Sequence, residues 1–353
     1  MSISPNLLAA RAPPTQSSLF PLSRGISSWT TFPGISGSLP LNNATLRPVN
    51  VASGFPIIFT NAPDGKLALK MHYPKGSYKP SAEIPGGISF YSHGPSSFDF
   101  TRAKETTFGY SIYFPSGFEW VKGGKLPGLF GGDSKEVAYG CSGGRKDIHC
   151  WSARLMWRTN GQGEIYAYLP PYDIPGFEAN KPLCSAPKNT CDSTYGISIG
   201  RGNFVFATGG WTTVAERVRL NDAGKANGEF ELYVDGRSVI QAKNIIIRPD
   251  NVGKTQGIFF QSFFGGSTSD WATPKDQDVY ISDFSVAIIE ALAGSTQARS
   301  LVEGVDNGID EHDSIHQRRA VTSASGKLSP GWAKQFASIM ILLQVAILSF
   351  TIP

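Results

Sequence analysis

Charge is scarce in this chain: only 17% of its 353 residues are charged, and the formal net charge is +4. So mild an excess, with no basic run interleaved with aromatics, argues against a nucleic-acid groove. Amphipathic helical patterns and internal repeats are also missing, which sets aside a helical bundle and a propeller. Cysteines number only four, in two close pairs, Cys141 with Cys150 and Cys184 with Cys191. Their spacing fits no zinc motif, even with His149 beside Cys150, so no metal is expected there. Three connectivities are open to four cysteines; the local one is expected, each bridge stapling a loop rich in Gly, Ser, Pro and Asn. Such bridges imply an oxidising compartment. The stretch VKGGKLPGLFGG (121–132) has a lysine among glycines but lacks the Ser or Thr that follows the lysine of a P-loop. Pro127 pushes its predecessor into extended backbone, so Lys125 belongs on or beside a strand. Its small neighbours read as room for something large to approach.

What is abundant points to sheet. Gly 39, Pro 24 and 12% aromatics suit short strands and many turns. Strand-like segments recur from about residue 50 to 292: 54–60, 66–73, 106–114, 152–158, 164–169, 202–208, 228–236, 257–266 and 278–289. In TTFGYSIYF one face carries Phe108, Tyr110, Ile112 and Phe114. WTTVAERVRLN (211–221) reads as a strand as well. The expectation is an all-β chain, a sandwich or jelly roll of one domain over residues 50–292.

The two ends read differently. Residues 1–49 are expected as leader and linker, without the basic start and long apolar stretch of a signal peptide. Asn43-Ala44-Thr45 is a glycosylation sequon. Residues 293–325 are polar and aperiodic, expected as a disordered stalk. Over 326–353 a polar spacer precedes an uncharged apolar tail from Phe336 to Pro353, with small residues Ser323 to Gly326 ahead of it. That is the pattern of a glycosylphosphatidylinositol signal, preferred here to a single membrane span. The expected protein is secreted or surface-anchored, joined to the membrane through lipid, and monomeric.

Residues 150–171 read as a hairpin around Asn160-Gly161-Gln162-Gly163. Ser152, Arg154, Met156 and Arg158 then share one face of the first strand, and Glu164, Tyr166 and Tyr168 one face of the second. A loop of odd length puts both sets on the same side; a three-residue loop from Asn160 to Gln162 pairs Arg154 with Tyr168 and Met156 with Tyr166. The plain alternative is a solvated outer face. A concave face of Arg, Lys, Tyr and Ser suits an anionic sugar chain, because Arg grips carboxylates and Tyr offers flat apolar rings.

The motifs GGKLPGL, WSARLMWR and EIYAYL, followed by SIGRGNF, GGWT and QSFFGG, occur in an order that resembles the polysaccharide lyases of family 14, fungal-type members included. That group includes alginate lyases and glucuronan-cleaving enzymes. The resemblance covers about residues 50 to 290 and implies a β-jelly roll that cuts a uronic-acid polysaccharide by β-elimination. It places the family's functional residues on Lys125, Ser152, Arg154, Tyr166 and Tyr168. Arg154 is expected to grip the substrate carboxylate and Lys125 to neutralise it or share in proton transfer. Tyr166 or Tyr168 acts as base or acid, the base role requiring neighbouring cations to lower a tyrosine pKa, and Ser152 orients. Gln261 and Arg201 are expected to line the groove and bind substrate. Fungal likeness leans the substrate toward glucuronan.

No cofactor is expected. A structural calcium at Asp276 and Asp278 is the weaker reading beside two solvated carboxylates. Glu164 stands without a clear second carboxylate, which argues against a glycoside hydrolase. The competing functions are a carbohydrate-binding module or a structural wall protein on the same fold.

Overall fold

The computed structural model describes residues 13–294. The expected anchor signal (326–353), all but the start of the expected stalk and residues 1–12 lie outside them. The first strands are β1 (Ser27–Thr30), β2 (Pro48–Val49), β3 (Ile58–Asn61), β4 (Leu67–Tyr73), β5 (Ile88–Ser92), β6 (Ala103–Phe114), β7 (Gly123–Gly132) and β8 (Cys150–Arg158). Then come β9 (Gly163–Tyr168), β10 (Thr190–Cys191), β11 (Ile197–Ile199), β12 (Gly210–Arg219), β13 (Gly228–Val234), β14 (Arg237–Ile245), β15 (Lys254–Ser262) and β16 (Gln277–Ala291).

They form two antiparallel sheets packed face to face, a β-sandwich of the jelly-roll type. One sheet runs β14-β13-β12-β6-β16-β4-β3, with β1 paired onto β16. The other runs β10-β11-β9-β8-β7-β15-β5-β2. Alternation along each strand decides what fills the space between them. From β6 come Phe108, Tyr110, Ile112 and Phe114, all buried as the pattern predicts. From the facing sheet come Leu126, Leu129, Trp151, Leu155, Trp157 and Ile165. Truncating one such aromatic to Ala costs about 3–5 kcal/mol, transfer and cavity terms together.

The structure corrects the sequence reading in three places. Residues 13–49 are not all linker: β1 pairs with β16, and Leu19, Trp29 and Leu46 are buried against the sandwich. Apolar residues spaced this widely give no strand signal. Residues 202–208 form no strand; they meet the sheets through isolated bridges at Val205 and Thr208 and through backbone hydrogen bonds of Gly202 and Phe204 with Gly163. Gly202 and its neighbours instead shape a turn, Gly202 with φ near +75°. The glycines beside Lys125 make room for the protein itself. A Cβ at Gly124 would lie 2.1 Å from the Trp157 ring, and one at Gly131 would lie 2.5 Å from Trp151. Two core indoles therefore press against β7, and glycine is what fits beneath them.

Candidate active site

Strand β8 sends Trp151, Ala153, Leu155 and Trp157 into the core, so Ser152, Arg154, Met156 and Arg158 project from the other face. Arg158 N donates to Gln162 O at 2.7 Å, closing the hairpin to β9 around Thr159, Asn160 and Gly161. The loop has the expected three residues but begins one residue early, because Asn160 and Gly161 take the left-handed conformation, φ +61° and +74°. The register is therefore Ser152 opposite Tyr168 and Arg154 opposite Tyr166, not Arg154 opposite Tyr168. Odd loop length still places all of them on one face. On the other flank β7 puts Lys125 opposite Met156.

A groove of about 610 Å³ runs over this face, and Lys125, Arg154, Tyr166, Tyr168, Arg201 and Gln261 all line it. Lys125 Nζ lies 2.6 Å from the Met156 sulfur and 3.4 Å from the centre of the Tyr166 ring. Burial, then the charges of Arg154 and Arg158, holds the Lys125 amine well below the usual lysine range. Arg154 is 1% exposed, donates through Nη1 to Gln261 Oε1 and lies with its guanidinium carbon 4.7 Å from the Phe259 ring centre. Gln261 in turn donates to Ser89 Oγ at 3.3 Å.

The two tyrosines are fixed from behind by loop backbone. Tyr166 Oη accepts from Gly196 N at 3.2 Å, and Tyr168 Oη accepts from Gly144 N at 3.1 Å. Gly144 lies in the loop stapled by Cys141–Cys150; Gly196 follows the loop stapled by Cys184–Cys191, the local pairing expected. Burial and the neighbouring Tyr168 push the Tyr166 phenol up, outweighing the Gly196 bond and the charges of Arg158 and Arg154. The expectation that cations lower the tyrosine pKa therefore fails at Tyr166. Desolvation wins.

Ser152 is fully buried, outside the groove, and donates through Oγ to Cys141 O at 2.7 Å. It anchors the disulfide loop and does not face the ligand space. Arg201 lines the groove but spends Nε on Glu164 at 2.7 Å. Arg158 gives Nε and Nη2 to the other Glu164 oxygen, at 2.8 and 2.5 Å. Burial raises the Glu164 carboxyl, but the Arg158 hydrogen bond and the Arg158 and Arg201 charges outweigh it and hold it below the ordinary value. Glu164 is an ion-pair partner, unsuited to act as a hydrolase acid. Asp276 accepts from Lys75 N, and Asp278 pairs with Lys70 and His72, so the calcium reading finds its two carboxylates committed elsewhere.

Two buried groups of the opposite sheet, Tyr110 and Glu216, brace the strand that carries the lysine; the sequence reading placed Tyr110 in the core alone and missed Glu216. A bulge at Leu126–Gly128 inserts Pro127 into β7. The stranded Pro127 carbonyl accepts from Tyr110 Oη at 3.1 Å, and the Leu129 N–H donates to Glu216 Oε2 at 2.8 Å. Burial pushes the Glu216 carboxyl well up, outweighing the Leu129 hydrogen bond, so the core favours its protonated form. Glutamate at an inward position of an otherwise apolar strand pattern is the signal that could have found it.

The family model for polysaccharide lyase 14 matches residues 61–284. Among solved structures, the PL-14 alginate lyase of the marine Aplysia kurodai is 36% identical with a TM-score of 0.58, covering 66% of this chain and 87% of that one. The alginate lyase of a Chlorella virus is 23% identical with a TM-score of 0.57, covering 71% of this chain and 98% of that one, a likeness of fold. No curated protein sequence matches the chain.

Proposed function

This chain belongs to polysaccharide lyase family 14, and we propose that its groove cuts a chain of uronic acids by β-elimination at Lys125, Arg154 and Tyr166. The observation that carries this reading is the convergence on one wall of a buried lysine with a depressed pKa, a buried guanidinium and a phenol with a raised pKa. The C5 proton of a uronic acid becomes removable once the neighbouring carboxylate is neutralised. Arg154, steadied by Gln261, supplies the fixed positive charge. Lys125, whose burial and cationic neighbours lower its hold on a proton, takes the C5 proton on Nζ. The C–H electron pair forms the C4–C5 double bond as the C4–O bond breaks. Tyr166 keeps its proton until it protonates the departing oxygen, and Tyr168 lies against it, ring centres 5.9 Å apart. Of the alternatives open from sequence, this division of labour takes lysine in proton transfer and tyrosine as acid.

Alginate is the first substrate to test, since the relative 36% identical is an alginate lyase; glucuronan, toward which the sequence leans, comes second. Incubation with alginate, glucuronan and pectate, read by the ultraviolet absorbance of unsaturated ends, decides the matter. Absorbance growing on one of them supports the lyase reading. Binding to any of them without new ends supports the binding-module alternative.

We further propose a secreted monomer. Two disulfides suit an oxidising compartment, and the sequon residue Asn43 is exposed in the turn Asn43–Leu46. Lipid anchoring remains a proposal from the sequence of residues outside those described.

A further inference from the structure

Trp271 lines the same groove, in the short turn Ser269–Trp271, and is half-buried. Its backing is main chain: a Cβ on Gly266 would lie 2.3 Å from the indole, so glycine lets the ring lie flat on the backbone. The turn is tied down on its far side, where Asp270 pairs with Lys122 and takes the Thr268 hydroxyl. Between this indole and the reacting wall stands Arg158. Its guanidinium carbon is 5.9 Å from the Trp271 ring centre and 5.7 Å from that of Tyr166. Glu164 occupies Nε and Nη2 of that guanidinium, while Nη1 makes no hydrogen bond among the described residues.

A flat apolar ring, fixed and open to a groove, beside a cation with one donor to spare, is the pair of features that an acidic pyranose presents in mirror image: an apolar sugar face and an equatorial carboxylate. We infer that Trp271 and Arg158 form an accessory subsite that holds the uronic acid residue neighbouring the one being cleaved. The sugar face lies on the indole and its carboxylate meets Nη1 of Arg158. Glu164 fixes the direction of that arginine and cancels part of its charge. The subsite rests on the lyase reading and deepens it, because it makes the enzyme prefer chains long enough to reach Trp271.

Kinetics on alginate with Trp271→Ala and Trp271→Phe test it, with calorimetric binding of an alginate tetrasaccharide to each in a Lys125→Ala background. Trp271→Ala is expected to raise KM about tenfold while kcat falls by less, the mark of binding shared by ground and transition states. Tetrasaccharide affinity should drop by a like factor, and Trp271→Phe should restore most of both. Wild-type KM and affinity in Trp271→Ala, in an enzyme that cleaves alginate, overturn the subsite and leave the lyase reading standing. A wild-type protein that neither cleaves alginate, glucuronan or pectate nor binds the tetrasaccharide overturns both.

Discussion

Lys125 Nζ sits over the face of the Tyr166 ring, 3.4 Å from its centre, and the two groups are displaced from their ordinary pKa values in opposite directions. Lysine is pushed toward its neutral form and tyrosine held in its protonated form. A base and an acid thus stand side by side, each shifted toward the form its role needs, which is the pairing an elimination requires.

The depressed lysine makes a stability prediction. The unfolded chain keeps the Lys125 proton up to about pH 10.4, whereas the folded chain releases it earlier. Between the folded and unfolded pKa values the unfolded state binds more protons, so stability from this group rises with pH and is poorest below the folded pKa. Lys125→Met removes that cost and should raise Tm at neutral pH, by about 2–4 °C for each kcal/mol recovered, while abolishing cleavage. Calorimetric scans from pH 6 to 10 check the sign: the advantage of the Met variant must shrink as pH rises.

Glu164 carries the opposite sign. Its carboxyl is held below the ordinary value, so its stabilisation is present above an unfolded pKa of about 4.3 and fades as pH falls through the folded pKa. Glu164→Gln should destabilise the fold by about 3 kcal/mol at pH 7, since it strands Arg158 and Arg201. Urea titrations should show the gap closing in acid.

Glu216 tests whether the far sheet positions the lysine. Glu216→Gln retains an acceptor for the Leu129 N–H and should keep near-normal kcat. Glu216→Leu leaves that N–H buried and unpaired, at about 1–3 kcal/mol, and should lower kcat about tenfold with little change in KM. If both variants fold and match wild-type kcat, the bulge has no part in placing Lys125.

Much of this was legible in the chain. Alternation in TTFGYSIYF gave the buried set of β6, and an odd loop after Arg158 put Arg154 and the tyrosines on one face. The register was missed by one step, because nothing in Thr159-Asn160-Gly161-Gln162 says which residue takes the left-handed turn. Ser152 faced the right way but was roofed by the Cys141 loop, and the roof depends on contacts distant in sequence. The glycines around Lys125 misled for a similar reason: Trp151 and Trp157, which need the room, lie on another strand. Arg158 was on the expected face, yet its link to Trp271 exists only in the fold.

Tyr166→Phe separates the acid from the ring. The change keeps the surface under Lys125 but removes the proton for the leaving oxygen, so kcat on alginate should fall about 10²–10⁴-fold with the fold unchanged by circular dichroism. A loss confined to KM would assign Tyr166 to binding.

The most direct trial of lysine-driven elimination follows one alginate digest by two readouts, new reducing ends and the ultraviolet absorbance of C4–C5 unsaturated ends, for wild type and Lys125→Ala. The account predicts that the two signals rise together in wild type and that neither rises in a folded Lys125→Ala. Reducing ends without absorbance, or undiminished absorbance in the lysine variant, would contradict it.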